Sequence, residues 1–246
     1  MNQPALREFP TQTHGRFPPW TRAMVHAVMG YAVMGLALAG ACACVGVAYA
    51  SSLDTLAVFL KTTQSGRADF TQVVTSPARP DQAVRSKTSV GSFAFVRPLR
   101  FRFDYQKPFL QTIVADGQTL WLYDADLAQV TARKQAQALG STPAALIAAA
   151  PDLGALQKEF TLQAEPDANG LQWVQATPKS RDSALQSVRI GLRVHAQGAS
   201  LDKLDIMDAL GQRSVLSFER FEINPANLGA AQFNFEPPKG VDVVRP

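Results

Sequence analysis

Few side chains in this sequence of 246 residues could perform covalent chemistry. Both cysteines, Cys42 and Cys44, lie near the N-terminus, and His195 is the only histidine of residues 51–246. Thiol catalysis, disulfides and metal sites built from cysteine or histidine are therefore excluded from residues 51–246. A Ser-His-Asp triad would need His195, and neither its neighbours nor a Gly-x-Ser-x-Gly motif indicates one. We expect no catalytic residue, no metal, no cofactor and no enzymatic activity.

Arg97 is the polar side chain whose position is most informative. It follows a stretch with large residues at odd positions, so by parity it shares a face with Phe93 and Phe95. A guanidinium on an apolar face is costly unless acceptors surround it. One interpretation is that Pro98 resets the strand and Arg97 points into solvent. The other is that Arg97 lies at a cavity rim and bonds to backbone carbonyls of a loop across the mouth, acting as a latch.

A stripe of aromatic residues accompanies Arg97. By default such a stripe is core between a sheet and a helix. One helix and a small insertion must cover about ten strands, however, and a twisted sheet of that size would leave apolar surface uncovered. Uncovered apolar surface favours a pocket for an apolar ligand. The predicted lining from these strands is Phe93, Phe95, Leu99, Phe101, Phe103 and Trp121.

The elements that would position these residues are one helix followed by strands. Ser51 and Asp54 are a typical helix start, and apolar residues recur at helical spacing until Gly66 ends the helix. Residues 99–105 then alternate between apolar and charged, and Asp116-Gly117 predicts a hairpin turn. Further strands are predicted at 160–164, 171–176, 187–194, 201–207, 213–223 and 232–235. Short strands joined by tight turns indicate one antiparallel sheet in a single domain over residues 51–246.

The segment 140–151 interrupts the strand pattern. Thr142 can cap a short helix in which Pro143 takes the first position, where its missing N–H costs nothing. The segment is rich in alanine, so we expect a small helical flap that lies on an apolar surface without filling it.

The first fifty residues have the features of an export signal. Residues 24–50 contain no Asp, Glu, Lys or Arg, and Ala48 and Ala50 fit a signal-peptidase site of the A-x-A type. We expect cleavage after Ala50. Two alternatives are an uncleaved membrane anchor, because the stretch is long enough to cross a bilayer, and lipidation at Cys42. All three place residues 51–246 outside the cytoplasm, in the periplasm of a Gram-negative bacterium.

The charge balance argues against nucleic acid as a partner. The formal net charge is +4, and residues 1–50 contain three of the 24 basic residues and one of the 20 acidic residues. The remainder is nearly neutral, without the basic patch that nucleic-acid binding needs.

Several motifs, in order along the chain, resemble the LolA family of periplasmic outer-membrane lipoprotein carriers. The motifs are Ala68-x-Phe70-Thr71-Gln72, Gly91-x-Phe93-x-Phe95-x-Arg97-Pro98-x-x-Phe101-x-Phe103, Asp116-Gly117-x-Thr119-Leu120-Trp121-x-Tyr123, Thr142-Pro143-x-x-Leu146-Ile147 and Phe233-x-Phe235-x-Pro237-Pro238-x-Gly240-Val241. The resemblance spans nearly all of residues 51–246. Residues 124–126 have no counterpart in the family pattern, and the leader is longer than is usual in the family.

The resemblance implies a fold, an activity and a set of partners. The fold is mainly β (α+β): a single curved antiparallel sheet forms an incomplete, half β-barrel, with an N-terminal helix and short lid helices over an apolar cavity. The activity is that of a periplasmic chaperone, a monomer that takes triacylated lipoproteins released by an inner-membrane ABC transporter and delivers them to an outer-membrane acceptor. The family's key arginine falls on Arg97, its mouth phenylalanine on Phe101, and its lid residues on Leu146 and Ile147.

Two other functions remain open at this point. One is a membrane-anchored lipoprotein acceptor or a periplasmic lipid sensor with the same half-barrel. Acylation of Cys42 would favour the anchored acceptor. The other is a lipid esterase, which the lack of a nucleophile motif disfavours.

Overall fold

The computed structural model describes residues 51–77, 83–138, 150–196 and 198–246. The predicted export signal with Ala48, Ala50 and Cys42, and the predicted lid residues Leu146 and Ile147, lie outside the described residues. Within the described ranges, no helix has the length and hydropathy needed to span a membrane.

The first helix, α1 (Ser52–Thr62), begins at the predicted cap. The Ser51 hydroxyl accepts a hydrogen bond from the Asp54 N–H at 3.2 Å, and the Asp54 carboxylate accepts one from the Ser51 N–H at 3.1 Å. This capping box satisfies donors that a helix start leaves free. The helix ends before Gly66, contrary to prediction, because Thr63 is already extended and Gly66 belongs to the first strand. A Cβ on Gly66 would come within 2.7 Å of the Phe95 ring, so this glycine makes room for an aromatic side chain.

Within the described residues, twelve strands form one curved, open sheet, and the predicted mainly β fold class is confirmed. The strands are β1 (Ser65–Thr75), β2 (Ser86–Val96), β3 (Arg100–Lys107), β4 (Gln111–Ala115), β5 (Thr119–Asp124), β6 (Gln129–Lys134), β7 (Phe160–Ala168), β8 (Leu171–Pro178), β9 (Leu185–His195), β10 (Gly198–Asp208), β11 (Arg213–Ile223) and β12 (Asp242–Val244). Their spatial order is β12-β6-β5-β4-β3-β2-β1-β11-β10-β9-β8-β7. Sequential strands pair as antiparallel neighbours within two series, β1 to β6 and β7 to β11, and the pairing of β1 with β11 joins the two series. The edge strand β12 pairs with β6 in parallel.

The face of the sheet that α1 covers, here called the inner face, holds the main hydrophobic core. Leu56, Phe59 and Leu60 of α1 pack onto inward-pointing residues of the strands. A short helix, α2 (Gln135–Ala138), follows β6, and α3 (Leu153–Glu159) leads into β7 and places Leu156 in the same core.

The C-terminal segment covers part of the opposite, outer face. A strand was predicted at 232–235, but residues Ala230–Phe233 form a 3₁₀ helix instead. Phe233 is fully buried, and the Phe235 ring lies 5.5 Å from the Trp121 ring. This segment therefore packs its aromatic residues onto the sheet rather than pairing with a strand.

Candidate functional site

Arg97 lies in the turn between β2 and β3 and is buried, with 8% of its surface exposed. Its Nε donates to the Thr63 carbonyl at 2.7 Å, and its Nη1 donates to the Ala150 carbonyl. The first acceptor lies at the end of α1, and the second lies at the end of the predicted flap. The interpretation that Arg97 points into solvent is wrong. That the contact with Ala150 works as a latch stays a prediction.

The charge of Arg97 is held by carbonyls and aromatic rings. Its guanidinium carbon lies 5.1 Å from the centre of the Phe95 ring and 5.4 Å from that of Phe59. No carboxylate of a described residue forms an ion pair with it, and its Nη2 has no hydrogen-bond partner among those residues. Burial lowers the pKa of Arg97 to about 10. A charge held in this way is only weakly favoured inside the protein.

Asn224 fixes the position of the Thr63 carbonyl. Its side-chain oxygen accepts from the Gln64 N–H at 2.8 Å and the Ser65 N–H at 3.0 Å, and its amide donates to the Thr62 carbonyl at 2.9 Å. These three bonds clamp the junction between α1 and β1. The sequence analysis missed this residue. The available signal was an asparagine just after a strand, which here has a φ of 49°.

The four predicted phenylalanines of β2 and β3 meet on the inner face. Phe93, Phe95, Phe101 and Phe103 are all buried. The Phe93 ring lies 4.4 Å from the Phe103 ring and 5.8 Å from the Phe95 ring. In this structure the rings pack on one another, so acyl chains could enter only if the cover of the sheet moved. That these residues contact acyl chains stays a prediction.

Two predicted lining residues lie elsewhere. Leu99 is exposed, because Arg97, Pro98 and Leu99 form the turn and Leu99 has a φ of 64°, so strand parity does not apply to it. Trp121 lies on the outer face, where its Nε1 donates to the Asp116 carboxylate at 2.9 Å. Its neighbour Leu120 takes the inner side and belongs to the main core.

Other residues of the site were not predicted as lining. Phe70 packs edge-on at 5.5 Å from Phe103, and Phe221 packs at 6.3 Å from both Phe59 and Phe95. Gln135 is buried and ties two turns together, since it donates to the Leu99 carbonyl at 2.6 Å and accepts from the Gly117 N–H at 2.9 Å. Hydrogen bonds of this kind join residues that are far apart in the sequence, so no local sequence pattern predicts them.

His195 lies within hydrogen-bond distance of a serine, a contact that the sequence analysis did not predict. Its Nε2 lies 2.7 Å from the Ser200 hydroxyl, across the hairpin of β9 and β10. Ser200 is buried, and no carboxylate of a described residue bonds to His195. The nearby Asp202 is paired instead with Arg193 at 2.9 Å. The pair therefore has the geometry of a structural contact within the hairpin.

Comparisons with known proteins identify the family. Residues 61–236 match the model of the family described as "Outer membrane lipoprotein carrier protein LolA". The outer-membrane lipoprotein carrier protein of Albidiferax ferrireducens is 64% identical over 200 residues, which cover 81% of this chain and 93% of that protein. The protein of the same name from Neisseria meningitidis serogroup B is 38% identical and covers 85% of this chain and 94% of its own.

Among solved structures, the LolA superfamily protein NE2245 from Nitrosomonas europaea aligns with a TM-score of 0.43 and 14% identity, covering 76% of this chain and 99% of that one. The family match over most of the chain and the close relatives agree with each other. The chain belongs to the LolA family of outer-membrane lipoprotein carrier proteins.

Proposed function

We propose that this chain carries lipoproteins across the periplasm and holds their acyl chains against the inner face of its sheet. The observation that carries the proposal is the buried guanidinium of Arg97, which joins the Thr63 and Ala150 carbonyls beside a cluster of phenylalanines. The close relatives named as outer-membrane lipoprotein carrier proteins support the same function.

The apolar acyl chains of the cargo determine what such a carrier must do. Each CH₂ of an acyl chain is stabilised by about 0.8 kcal/mol when it leaves water. Several long chains therefore need a dry cavity for the crossing. A cavity that bound them with that full energy would not release them, and a soluble carrier has no nucleotide hydrolysis of its own to drive release.

A latch that closes over the empty cavity answers this difficulty. In the structure, Arg97 donates to the Ala150 carbonyl, at the end of the predicted flap, and this contact is the proposed latch. Entering acyl chains displace the flap and break this bond, so part of the favourable energy of burial is used to open the protein. Net binding is thereby weakened, which favours transfer to an acceptor that binds more tightly.

The partners in this proposal are those of the family resemblance. The cargo is triacylated lipoprotein, an inner-membrane ABC transporter supplies it, and an outer-membrane acceptor receives it. Residues 1–50 are the export signal, cleaved after Ala50, and Leu146 and Ile147 belong to the lid. No step of this cycle makes or breaks a covalent bond in the cargo, so no catalytic residue is needed.

The test is to purify the exported protein from the periplasm and identify what accompanies it by mass spectrometry. The expected result is a protein that begins at Ser51 and brings lipoprotein or free acyl lipid with it. Trp121→Phe, on the outer face, is the control and should bring the same cargo. An N-terminus acylated at Cys42 would instead identify an anchored acceptor. A protein that never carries lipid would refute the proposal.

A further inference from the structure

The backbone that joins α1 to β1, residues 62–65, is bonded on one side to Asn224. Its side-chain amide donates to the Thr62 carbonyl at 2.9 Å, and its side-chain oxygen accepts from the N–H groups of Gln64 and Ser65. The Asn224 backbone N–H donates to the Ser65 carbonyl, also at 2.9 Å. One residue thus bonds to four backbone groups of this junction.

The order of the strands explains why Asn224 and Arg97 reach this junction from opposite sides. β1 lies between β2 and β11 in the sheet. The last residues of these two neighbours, Val96 of β2 and Ile223 of β11, both pair with the start of β1. Arg97 follows the first of them directly, and Asn224 follows the second. Two residues that are far apart in the sequence therefore flank the same short segment.

Arg97 bonds to junction groups that lie between those bonded to Asn224. Its Nε donates to the Thr63 carbonyl at 2.7 Å, and its backbone N–H donates to the Gln64 carbonyl at 2.8 Å. The Thr63 carbonyl belongs to the same peptide unit as the Gln64 N–H, and the Gln64 carbonyl belongs to the same unit as the Ser65 N–H. Two successive peptide units therefore bond to Asn224 through their N–H and to Arg97 through their carbonyl.

The planarity of these peptide units links the two sides of the junction. A peptide unit is rigid, and in the trans form its carbonyl and its N–H point in opposite directions. A hydrogen bond that fixes the N–H therefore also fixes the direction of the carbonyl. By holding the Gln64 N–H at 2.8 Å, Asn224 orients the Thr63 carbonyl. That carbonyl is the acceptor of the Arg97 Nε.

The guanidinium of Arg97 extends this link to its second acceptor. The N–H groups of a guanidinium have a fixed planar arrangement, so the bond from Nε to the Thr63 carbonyl restricts where Nη1 can point. In the structure, Nη1 donates to the Ala150 carbonyl. The geometry of the contact with Ala150 therefore depends on the junction, and through the junction on Asn224.

The residue type at position 224 suits a role in hydrogen bonding rather than in packing. Asn224 has a φ of 49°, in the left-handed region that asparagine adopts more readily than most residues other than glycine. The residue is exposed, so its side chain adds little apolar burial to the core. A substitution that keeps this backbone conformation therefore removes the side-chain bonds with little loss of packing.

We propose that Asn224 is a positioning residue for the latch: it holds the junction so that the Arg97 guanidinium meets the Ala150 carbonyl. This inference rests on the proposed function, because it assumes that cargo breaks this contact. Without the Asn224 side chain, the closed state loses part of its stabilisation. Cargo should then be held more tightly and passed on more slowly, in the same direction as after the loss of Arg97 itself.

The first experiment tests the hold on Arg97 in protein without cargo. Asn224→Gly removes the side chain, and glycine readily keeps the left-handed φ. NMR measures the exchange of the Arg97 Nε–H with solvent, a signal assigned by its absence in Arg97→Leu. In Asn224→Gly this exchange should be at least about threefold faster than in wild type, because the acceptor of the N–H is held by fewer bonds.

The matched control is Asn169→Gly. Asn169 is also an exposed asparagine with a left-handed φ, here 55°, and it lies in the turn between β7 and β8, at the edge of the sheet. The Arg97 Nε–H should exchange at the wild-type rate in this control.

The second experiment is a double-mutant cycle on cargo transfer. Loaded protein passes a fluorescently labelled lipoprotein to acceptor-containing outer-membrane vesicles. Asn224→Gly should slow this transfer by about threefold in the wild-type background, and by less than about 1.5-fold in the Arg97→Leu background, as expected for residues of one hydrogen-bond network. A merely structural role would slow transfer by the same factor in both backgrounds. Thermal unfolding checks that every variant is folded.

The outcomes separate this inference from the proposed function. If the Arg97 Nε–H exchanges at the wild-type rate in Asn224→Gly, or if Asn224→Gly slows transfer equally in both backgrounds, Asn224 is not a positioning residue for the latch. If Arg97→Leu slows transfer and Asn224→Gly does not, this inference is wrong and the latch stands. If Arg97→Leu transfers cargo as fast as wild type while Asn224→Gly accelerates the exchange, the latch is refuted although Asn224 still orients Arg97.

Discussion

Replacing Arg97 with leucine should make the protein hold its cargo more tightly and release it more slowly. The substitution removes the donor that reaches the Ala150 carbonyl, so the closed protein loses the interaction that cargo is proposed to break. Leucine also adds apolar surface beside Phe95. Uptake should therefore continue while onward transfer slows.

The magnitude follows from two opposing contributions. Opening breaks one hydrogen bond from this charged donor, the bond to the Ala150 carbonyl, which stabilises the closed state by about 1.5–3 kcal/mol. Burial of the guanidinium, which lowers its pKa to about 10, opposes closure to the extent that the charge regains water on opening. The net stabilisation of the closed state is therefore about 0–3 kcal/mol. Loss of the latch should accordingly tighten cargo binding by about tenfold, with an upper limit of about a hundredfold.

The assay measures the rate at which loaded protein passes a fluorescently labelled lipoprotein to acceptor-containing outer-membrane vesicles. Arg133→Leu is the matched control. Arg133 is exposed on β6, so this substitution makes the same chemical change away from the site. Thermal unfolding of both variants checks that they are folded. If the Arg97→Leu protein transfers cargo as fast as wild type, the latch mechanism is refuted.

Two predictions concern stability. Phe103→Ala should lower the free energy of unfolding by about 3–5 kcal/mol in chemical denaturation, because a buried ring is removed from the core. Phe109→Ala, at an exposed position, should change that free energy by less than about 0.5 kcal/mol. Equal losses in the two variants would contradict the assigned burial. Burial raises the pKa of Asp116, but hydrogen bonds from the Thr119 N–H, the Trp121 side chain and the local backbone outweigh it and leave that pKa below its usual value. A carboxylate of this kind contributes stability above its unfolded-state pKa and loses that contribution as pH falls through the lower, folded-state pKa. Asp116→Asn should therefore be less stable than wild type at neutral pH, and denaturant titrations at falling pH should show the difference shrinking; a constant difference would contradict the assignment.

Strand positions could be predicted from the sequence because most strands here have one wet and one buried face. The alternation of residues 99–105 and the Asp116-Gly117 turn carry that information directly. Parity also placed Arg97 with Phe93 and Phe95, because these residues follow one another along β2 and into its turn.

The sequence predictions failed at residues where the alternation of buried and exposed positions along a strand gives no information. Leu99 has a strand-like neighbour pattern but lies in a turn, and its φ of 64° depends on the fold of the hairpin. Around Trp121 every residue from Leu120 to Tyr123 is apolar or aromatic, so the sequence does not say which side faces inward. The C-terminal segment covers part of the outer face, and a local pattern could not reveal that Phe235 packs against Trp121.

The choice of carbonyl acceptors for Arg97 is compatible with the reversible step of the proposed latch. A buried ion pair that loses one partner costs about 3–5 kcal/mol, since a full charge is left uncompensated. Here the two acceptors are neutral backbone carbonyls, and they belong to different segments of the chain. The Thr63 carbonyl belongs to a junction held by three hydrogen bonds with the Asn224 side chain, two accepted and one donated, whereas Ala150 lies at the end of the predicted flap. Opening can therefore break the bond to Ala150 while Thr63 and the faces of Phe59 and Phe95 still hold the guanidinium. In the proposed latch, the arginine that stays bound to Thr63 then bonds to Ala150 again after the cargo has gone.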